Sequence, residues 1–167
     1  LLEGNRTCLI SVSGGVGILM ADAAAEYGLD VASASPTTQE ELRVVLPYSS
    51  VRNPVDVTAQ IVNHPDLLEK CLGILVERSN YDSFVVFFAS LGLVPSLHAR
   101  FVRILRAFRE RLRHKTVALV TITNPERRRD YEDAGYLVFE EPAHAIRAVA
   151  ALHRFSASFR SRSNRTT

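Results

Sequence analysis

Apolar and polar positions divide the chain into short buried runs and longer segments with helical spacing. Five runs are continuously apolar, a pattern typical of parallel strands that are covered on both faces: TCLISV, LDVASA, SFVVFFAS, TVALVTI and YLVF. Helical periodicity predicts six helices, at residues 16–27, 37–46, 65–78, 97–113, 125–134 and 142–155. Strands and helices therefore alternate along the chain.

This alternation predicts an α/β fold with a parallel sheet and right-handed crossovers. Five strands favour a three-layer, doubly wound, flavodoxin-like sheet of order 2-1-3-4-5. Thr37 with Glu40 predicts a capping box, and Gly28 and Gly135 fit the left-handed position after a helix. The segment SSVRNPVDVTAQ, residues 49–60, joins the second helix to the third without an evident strand.

Length and charge narrow the classes of function. The 167 residues suit one domain, which we place at residues 1–155, and the formal net charge is +2. Residues 154–167 hold four arginines and no acid, and subtracting these four leaves −2, so the body is not that of a nucleic-acid binder. Residues 156–167 are polar, serine-rich and basic, which predicts a disordered tail or a linker. Both ends of the chain resemble cuts in a longer polypeptide.

Cysteine use and hydropathy indicate a compartment. Cys8 and Cys71 lie in apolar runs and are expected as buried thiols rather than as a disulfide or metal site. The sequence has no signal peptide and no apolar run of membrane-spanning length. We therefore expect a soluble, cytoplasmic protein with no membrane partner.

A glycine loop follows the first strand and is the candidate binding site. It contains Ser13, Gly14, Gly15 and Gly17. In a doubly wound sheet this loop lies at the carboxyl edge of the strands, where the unbonded amides and the dipole of the following helix favour an anion. Glycines admit a phosphate close to the backbone. The alternative is a tight turn that binds no ligand.

Other uses of such a loop fit the letters poorly. A dinucleotide site needs a third glycine, where this sequence has Met20, and an acid after the second strand, which this sequence does not have. A nucleotide P-loop needs a Gly-Lys-Ser/Thr ending, and a receiver domain needs acidic residues at its strand ends. This sequence has neither feature. A hydrolase with Ser13 as nucleophile stays open as a minor alternative.

A second segment of interest contains Asn53, Pro54 and Asp56. It is predicted either as a self-bonded turn across the strand ends or as a loop that orders the binding crevice. The five histidines show no spacing that indicates a metal site. His98 and His64, near the same edge, are expected as surface or capping residues.

Together, these letters resemble a known family. The stretches GNRTCLISVSGGVGILMADAAAEYGLDV and SPTTQEELRVVLPYSSVRNPVDVTA resemble the third domain of NDP-forming acyl-CoA synthetases of the ADP-forming acetyl-CoA synthetase type. The resemblance continues through YDSFVVFFAS and AGYLVFEEPAHAIRAVAALHRF and covers nearly all of the chain up to the tail. It is also similar to the carboxy-terminal domain of the succinyl-CoA synthetase β subunit.

The resemblance implies one part of a larger acid–thiol ligase, which converts a carboxylic acid, CoA and ATP into acyl-CoA, ADP and phosphate. Partner domains of that enzyme bind CoA, carry a phosphohistidine in a Ser-His-Thr-Gly segment, and hold ATP and magnesium in an ATP-grasp fold. By position, Ser13, Gly14, Gly15 and Gly17 match the phosphate-binding glycine loop, although Val16 replaces a common proline. Asn53, Pro54 and Asp56 match an Asn-Pro-x-Asp segment.

The chain has no Ser-His-Thr-Gly segment, so it is expected to be catalytically incomplete and to bind no cofactor alone. The resemblance also allows a different function, because the same three-domain module occurs fused to acetyltransferases as a CoA- or nucleotide-sensing regulator. An apolar docking side further predicts that two copies pair as a homodimer.

Overall fold

The fold is described for residues 3–163 of a computed structural model. Its strands are β1 (Thr7–Ser11), β2 (Val55–Asp56), β3 (Ser83–Ala89), β4 (Thr116–Thr121) and β5 (Leu137–Phe139). Its α-helices are α1 (Gly14–Glu26), α2 (Pro36–Val45), α3 (Pro65–Arg78), α4 (Pro95–Arg111), α5 (Pro125–Asp133) and α6 (Pro142–Ser163). Two 3₁₀ turns cover Ala59–Val62 and Leu91–Leu93.

The five strands form one parallel sheet in the order 2-1-3-4-5, which confirms the predicted fold class. Alternate strand residues face opposite sides, so Cys8 and Ile10 join one core cluster while Leu9 joins the other. The first cluster packs the sheet against α2, α3, α4 and α5, and the second packs it against α1 and α6. Helices on both faces explain why the strands are continuously apolar.

The second strand is not where the sequence pattern placed it. The run LDVASA makes a single bridge, between Asp30 and Arg6, and is otherwise irregular. The strand beside β1 is instead Val55–Asp56, inside the segment that was predicted to contain no strand. A two-residue edge strand carries almost no periodic signal. The earlier run shows an apolar pattern because Leu29 and Ala34 are buried and Val31 and Ala32 are half-buried, although the run is not a strand of the sheet.

The helix ends differ from the prediction at the start of α2 and agree with it at two glycines. The first turn of α2 is capped by Ser35, whose hydroxyl accepts from the Thr38 amide at 3.1 Å, so the capping box at Thr37 is wrong. Gly28 and Gly135 follow helices with φ of 77° and 90°, as predicted. None of the helices that the structure describes is long and apolar enough to cross a membrane.

The last helix, α6, runs past the predicted end at 155 and reaches Ser163, so residues 156–163 are helical rather than a disordered tail. Ser156 in this extension is buried, and within the helix the rings of Phe155 and Phe159 meet at 5.0 Å. The remainder of the predicted tail, residues 164–167, lies outside the described residues.

Candidate functional site

The carboxyl end of β1 leads directly into α1. Ser11 turns the chain there, because its Oγ accepts from the Ser13 amide at 3.0 Å and donates to the Ser13 carbonyl at 2.7 Å. Ser13 is the N-cap in extended backbone, and among residues 3–163 its side chain finds no capping hydrogen bond. The first amides of α1 have no intrahelical acceptor.

The three glycines of the loop serve different needs. A Cβ at residue 17 would lie 3.2 Å from the Cβ of Pro54, and one at residue 14 would lie 3.0 Å from Oδ2 of Asp56. Both positions therefore let the segment after α2 approach the helix start. At Gly15, by contrast, a Cβ would meet no described atom within 4 Å apart from its chain neighbours and the nearby backbone of its own helix, and the backbone has no positive φ. Neither packing nor conformation within the described fold requires glycine there.

The two sequence segments of interest meet in one pocket. A cavity of about 210 Å³ is lined by the end of β1, by the start of α1, and by β2 with the segment before it: Ser11, Gly14, Gly17, Ile18, Ser50, Pro54, Val55 and Asp56. Parallel pairing of β2 with β1 brings Asp56 opposite Ser11, so the segments share the carboxyl edge of the sheet. Most of the lining side chains are apolar or small.

Asp56 brings a negative charge to the amino end of α1. Its Oδ1 accepts from the Thr58 amide at 2.8 Å, which closes a local turn. Its Oδ2 faces Gly14. A second anion at this helix start is attracted by the helix dipole and repelled by this carboxylate.

Asn53 is adjacent to the pocket in sequence but does not line it. Its Oδ1 accepts from the Leu9 amide at 2.9 Å, and its Nδ2 donates to the Thr7 carbonyl at 2.8 Å and to the Ala32 carbonyl at 3.1 Å. The peptide bond between Asn53 and Pro54 is cis. The structure thus places Pro54 and Asp56 at the pocket and directs the amide of Asn53 to the backbone of the sheet.

Two non-glycine residues with positive φ lie along the same edge. Thr58, with φ of 56°, follows β2, and Ala89, with φ of 48°, ends β3 at an irregularity of the strand register. Such conformations cost about 1–3 kcal/mol each and cluster at binding sites. The Ala89 carbonyl accepts from the Ile122 amide at 2.8 Å and from the Thr121 hydroxyl at 3.0 Å, which fixes the bend.

Exposed apolar side chains surround this edge of the sheet. They belong to α1, to the turn after β3 and to the end of β4: Ile18, Leu19, Leu93, Val94 and Ile122. We call these five residues the apolar rim. A glycine-lined helix start within an apolar rim is suited to contact with another protein surface rather than with bulk water.

Sequence reasoning missed a buried polar cluster between α4 and α5. The Nε2 of His98 lies 2.7 Å from Oδ2 of Asp130, and its Nδ1 lies 3.1 Å from the hydroxyl of Tyr131. Burial, helped by the Asp130 carboxylate, raises the pKa of Tyr131 to about 12. Because both ring nitrogens are engaged, His98 fastens the two helices and is neither a surface nor a capping residue. The sequence gives no signal for this contact, because His98 and Asp130 lie on different helices and meet only where α4 packs against α5.

The described residues form no evident metal site. Across residues 3–163, no group of three or more His, Cys, Asp or Glu side chains lies close enough to hold an ion. Cys8 and Cys71 are buried free thiols, and burial raises the pKa of both. Neither thiol reaches the pocket.

Comparison with known proteins gives relatives of one kind. The chain is similar to the acetate–CoA ligase (ADP-forming) II subunit alpha of Pyrococcus furiosus, with 30% identity over 159 residues, 91% of this chain and 34% of that protein. The corresponding subunit of ligase I from the same organism is 24% identical over 161 residues, covering 92% of this chain and 33% of that protein. The chain thus spans about a third of the length of the curated relatives it matches.

Solved structures agree with this relationship. A crystal structure from Pyrococcus horikoshii OT3 superposes with a TM-score of 0.74 at 27% identity, over 92% of this chain and 36% of that one. The dinucleotide forming acetyl-coenzyme A synthetase 1 of Ca. Korarchaeum cryptofilum, in complex with phosphate and ADP, shares the fold with a TM-score of 0.71 at 18% identity, over 94% of this chain and 34% of that one. The Ligase-CoA domain family matches residues 7–153. The chain therefore belongs to the Ligase-CoA domain family.

Proposed function

We propose that this chain is one domain of an NDP-forming acyl-CoA synthetase and that the amino end of α1 helps to bind a phosphoryl group there. Family membership over residues 7–153 supports the class of enzyme. The relatives are about three times as long, which supports a role as a part rather than as a whole catalyst. Carboxylic acid, CoA and nucleotide are then handled jointly with neighbouring domains.

Gly15 is the observation that carries the phosphate-binding role. Nothing within the described fold needs glycine at this exposed position, so we attribute it to the close approach of a group from outside. The approaching group meets helix amides that lack intrahelical acceptors, together with the hydroxyl of the cap, Ser13, which makes no capping hydrogen bond within residues 3–163. Donors of this kind suit an anion such as a phosphoryl group.

The chemical contribution is electrostatic. A phosphohistidine carried by a neighbouring domain bears a dianion that is poorly solvated once two domains close over it. Amides fixed by the turn at Ser11 and Ser13 stabilise that charge without rearranging. Magnesium and the nucleotide are assigned to the ATP-grasp neighbour, and CoA to its own domain.

The surroundings of the loop support docking of the histidine-bearing domain at this edge. The apolar rim gives a contact surface, with Ile18 and Leu19 exposed by 63% and 65% beside the glycines. Burying the rim against a neighbour also excludes water from the phosphoryl site, which strengthens the hydrogen bonds of the amides. The carboxylate of Asp56 beside Gly14 opposes an anion at this helix start.

The experiment is a titration of the purified chain with phosphate, ADP and CoA, followed by amide NMR shifts. Weak, phosphate-specific shifts confined to residues 13–17 are expected. Gly15→Asp should abolish them, because it adds a negative side chain at the same point, while the overall spectrum stays folded. Gly15→Ala is the matched control for backbone effects.

Two outcomes would contradict the proposal. Shifts caused by CoA or ADP but not by phosphate would favour the ligand-sensing regulatory module. Phosphate shifts that persist unchanged in Gly15→Asp would place the anion elsewhere.

A further inference from the structure

A second pocket lies where β1 begins, at the end of that strand opposite to the glycine loop. Its volume is about 330 Å³, and three parts of the chain form it: residues 4–5 before β1, residues 27–29 at the end of α1, and residues 150–160 of α6. A pocket of this size suits a small organic molecule.

Arg160 brings a buried donor without an acceptor to this pocket. Its Nη1 is enclosed by protein, and among residues 3–163 it finds no hydrogen-bond partner. The Nε of Arg6 is also buried without a hydrogen bond, but it lies 3.9 Å from the carboxylate of Asp30. A buried guanidinium nitrogen that lacks an acceptor is unfavourable, and an oxygen of a bound ligand would satisfy it.

The carbonyls at the end of α1 already have other donors. Nη1 of Arg154, the second arginine of the pocket, donates to the Tyr27 carbonyl at 3.5 Å. The Gly28 carbonyl accepts from Nδ2 of Asn5 at 3.1 Å. Because these bonds satisfy carbonyl groups that would otherwise repel an anion at this helix end, Arg160 remains for a ligand.

The charged side chains that line the pocket are basic. Among the described residues of its lining there is no aspartate or glutamate. Acids beside the lining are engaged or directed elsewhere: Asp82 accepts from the Arg6 amide at 3.0 Å, Asp30 lies 3.9 Å from Nε of Arg6, Glu3 lines a separate groove, and Glu26 is exposed on α1. The pocket itself therefore attracts an anion.

The shape and number of the donors indicate the kind of anion. A planar guanidinium matches the two oxygens of a carboxylate, whereas a phosphate dianion needs more donors than one unpartnered nitrogen supplies. Tyr27, Leu29, Ala150 and Ala157 add apolar carbon to the lining. We infer that this pocket binds a small organic acid, with its carboxylate on Arg160 and its apolar body against these four residues.

The test compares butyrate, acetate, butanol and inorganic phosphate as ligands of the full chain, followed by amide NMR shifts at about 0.15 M salt. Butyrate has a carboxylate and an apolar body, butanol has the body alone, and phosphate has the charge alone. Butyrate should shift the amides of residues 27–29 and 150–160 saturably. It should bind about tenfold more tightly than acetate, because two more methylene groups are buried. Butanol and phosphate should leave these amides unshifted.

Matched variants assign the binding to Arg160. Arg160→Met keeps an apolar stem and should lower the affinity for butyrate at least about tenfold. Arg147→Met removes the same charge from an exposed position of α6 outside the pocket and should leave the affinity unchanged. Ala157→Leu fills the pocket from an exposed position without changing the charge, and it should abolish the butyrate shifts. Without ligand, the urea midpoint of Arg160→Met should equal or exceed that of the native chain, since a buried unpaired donor is removed.

Several results would overturn the inference. Full butyrate affinity in Arg160→Met, or equal shifts with butanol, would reject a carboxylate on Arg160. A lowered urea midpoint in Arg160→Met would show that the guanidinium has a partner within the fold. Phosphate shifts equal to those of butyrate would identify a general anion site, and no shift with any ligand would leave water as the partner of Arg160. These results are independent of the proposed phosphate site, whose amides at residues 13–17 should not respond to butyrate.

Discussion

The side-chain oxygen of Asn53 accepts a hydrogen bond from the backbone amide of Leu9 at 2.9 Å. Its amide nitrogen donates to the carbonyls of Thr7 and Ala32. Within residues 3–163, β2 pairs with β1 only at Ile10 and Ser11, so the earlier part of that strand edge has no strand partner. One side chain therefore satisfies buried backbone groups that a longer strand would otherwise bond.

Replacing this side chain should destabilise the whole domain. Asn53→Ala removes the partner of the Leu9 amide and of the Thr7 carbonyl in β1, and we expect a loss of about 2–4 kcal/mol in the free energy of unfolding. Urea denaturation measures it. Asn80→Ala, which removes an exposed hydrogen bond to Arg6, is the control and should cost under about 0.5 kcal/mol. Equal effects of the two variants would show that the hydrogen bonds of the Asn53 side chain contribute little to the free energy of unfolding.

The hydrogen bonds of Asn53 also bear on why the sequence predicts the inner strands of the sheet better than its edge strand β2. The runs in β1, β3 and β4 are buried on both faces, so each strand was recognisable from its own letters. The strand β2 has two residues, and its place is fixed by the Asn53 hydrogen bonds and by contact with α1. The structure confirms the predicted order 2-1-3-4-5, although its second strand is Val55–Asp56 and not LDVASA.

The candidate site was predictable in part for a comparable reason. Glycines after a buried strand indicate a helix start at the carboxyl edge, and Pro54 and Asp56 do meet them there. The different roles of the glycines are not predictable from sequence, because only the packed structure shows that an added Cβ would meet Pro54 at Gly17 but no side chain at Gly15. The contact of His98 with Asp130 and Tyr131 likewise depends on how α4 and α5 pack.

The glycines of α1 should respond to alanine in opposite ways. Gly17→Ala places a methyl group 3.2 Å from the Cβ of Pro54 and should lower the free energy of unfolding by about 1–2 kcal/mol. Gly15→Ala meets open space and should be neutral or raise it by up to about 1 kcal/mol, since alanine favours helix. Chemical denaturation of both variants checks the contrast.

Gly73→Ala in α3 calibrates the helix-propensity effect. Its new methyl group meets only the end of the Arg111 side chain at 3.7 Å, an ordinary contact, so this variant should be stabilised. A destabilised Gly15→Ala beside a stabilised Gly73→Ala would show that Gly15 has a structural duty in the fold and would remove the main support for an external ligand.

The charge of Asp56 should oppose anion binding at the helix start. Asp56→Asn removes a negative charge beside Gly14 and keeps an oxygen that accepts from the Thr58 amide. Affinity for phosphate should therefore rise about three- to tenfold at low salt, as expected from a single charge near the surface. NMR titration of residues 13–17 measures the change. Weaker binding in Asp56→Asn would instead assign the carboxylate a direct role, for example through a bridging cation.

The stability of the fold should depend on the protonation of His153 in α6. Its Nε2 lies 3.2 Å from the Ser83 hydroxyl, which in turn lies 2.9 Å from the hydroxyl of Thr7. Burial lowers the pKa of His153, and the charge of Arg160 acts in the same direction, whereas Asp82 and the backbone of Gly4 oppose them. The folded state therefore prefers the neutral ring.

This preference sets the direction of the pH dependence. As pH falls below about 6.5, the unfolded chain takes up a proton at this histidine before the folded chain does, so the free energy of unfolding decreases. Above that pH the contribution is fully present. The urea midpoint of the native chain should decrease as the pH is lowered from about 7.5 to about 5.5. The change of midpoint with pH should be smaller in His153→Gln. The exposed His144→Gln is the control and should keep the native slope. An unchanged slope in His153→Gln would locate the proton uptake at another residue.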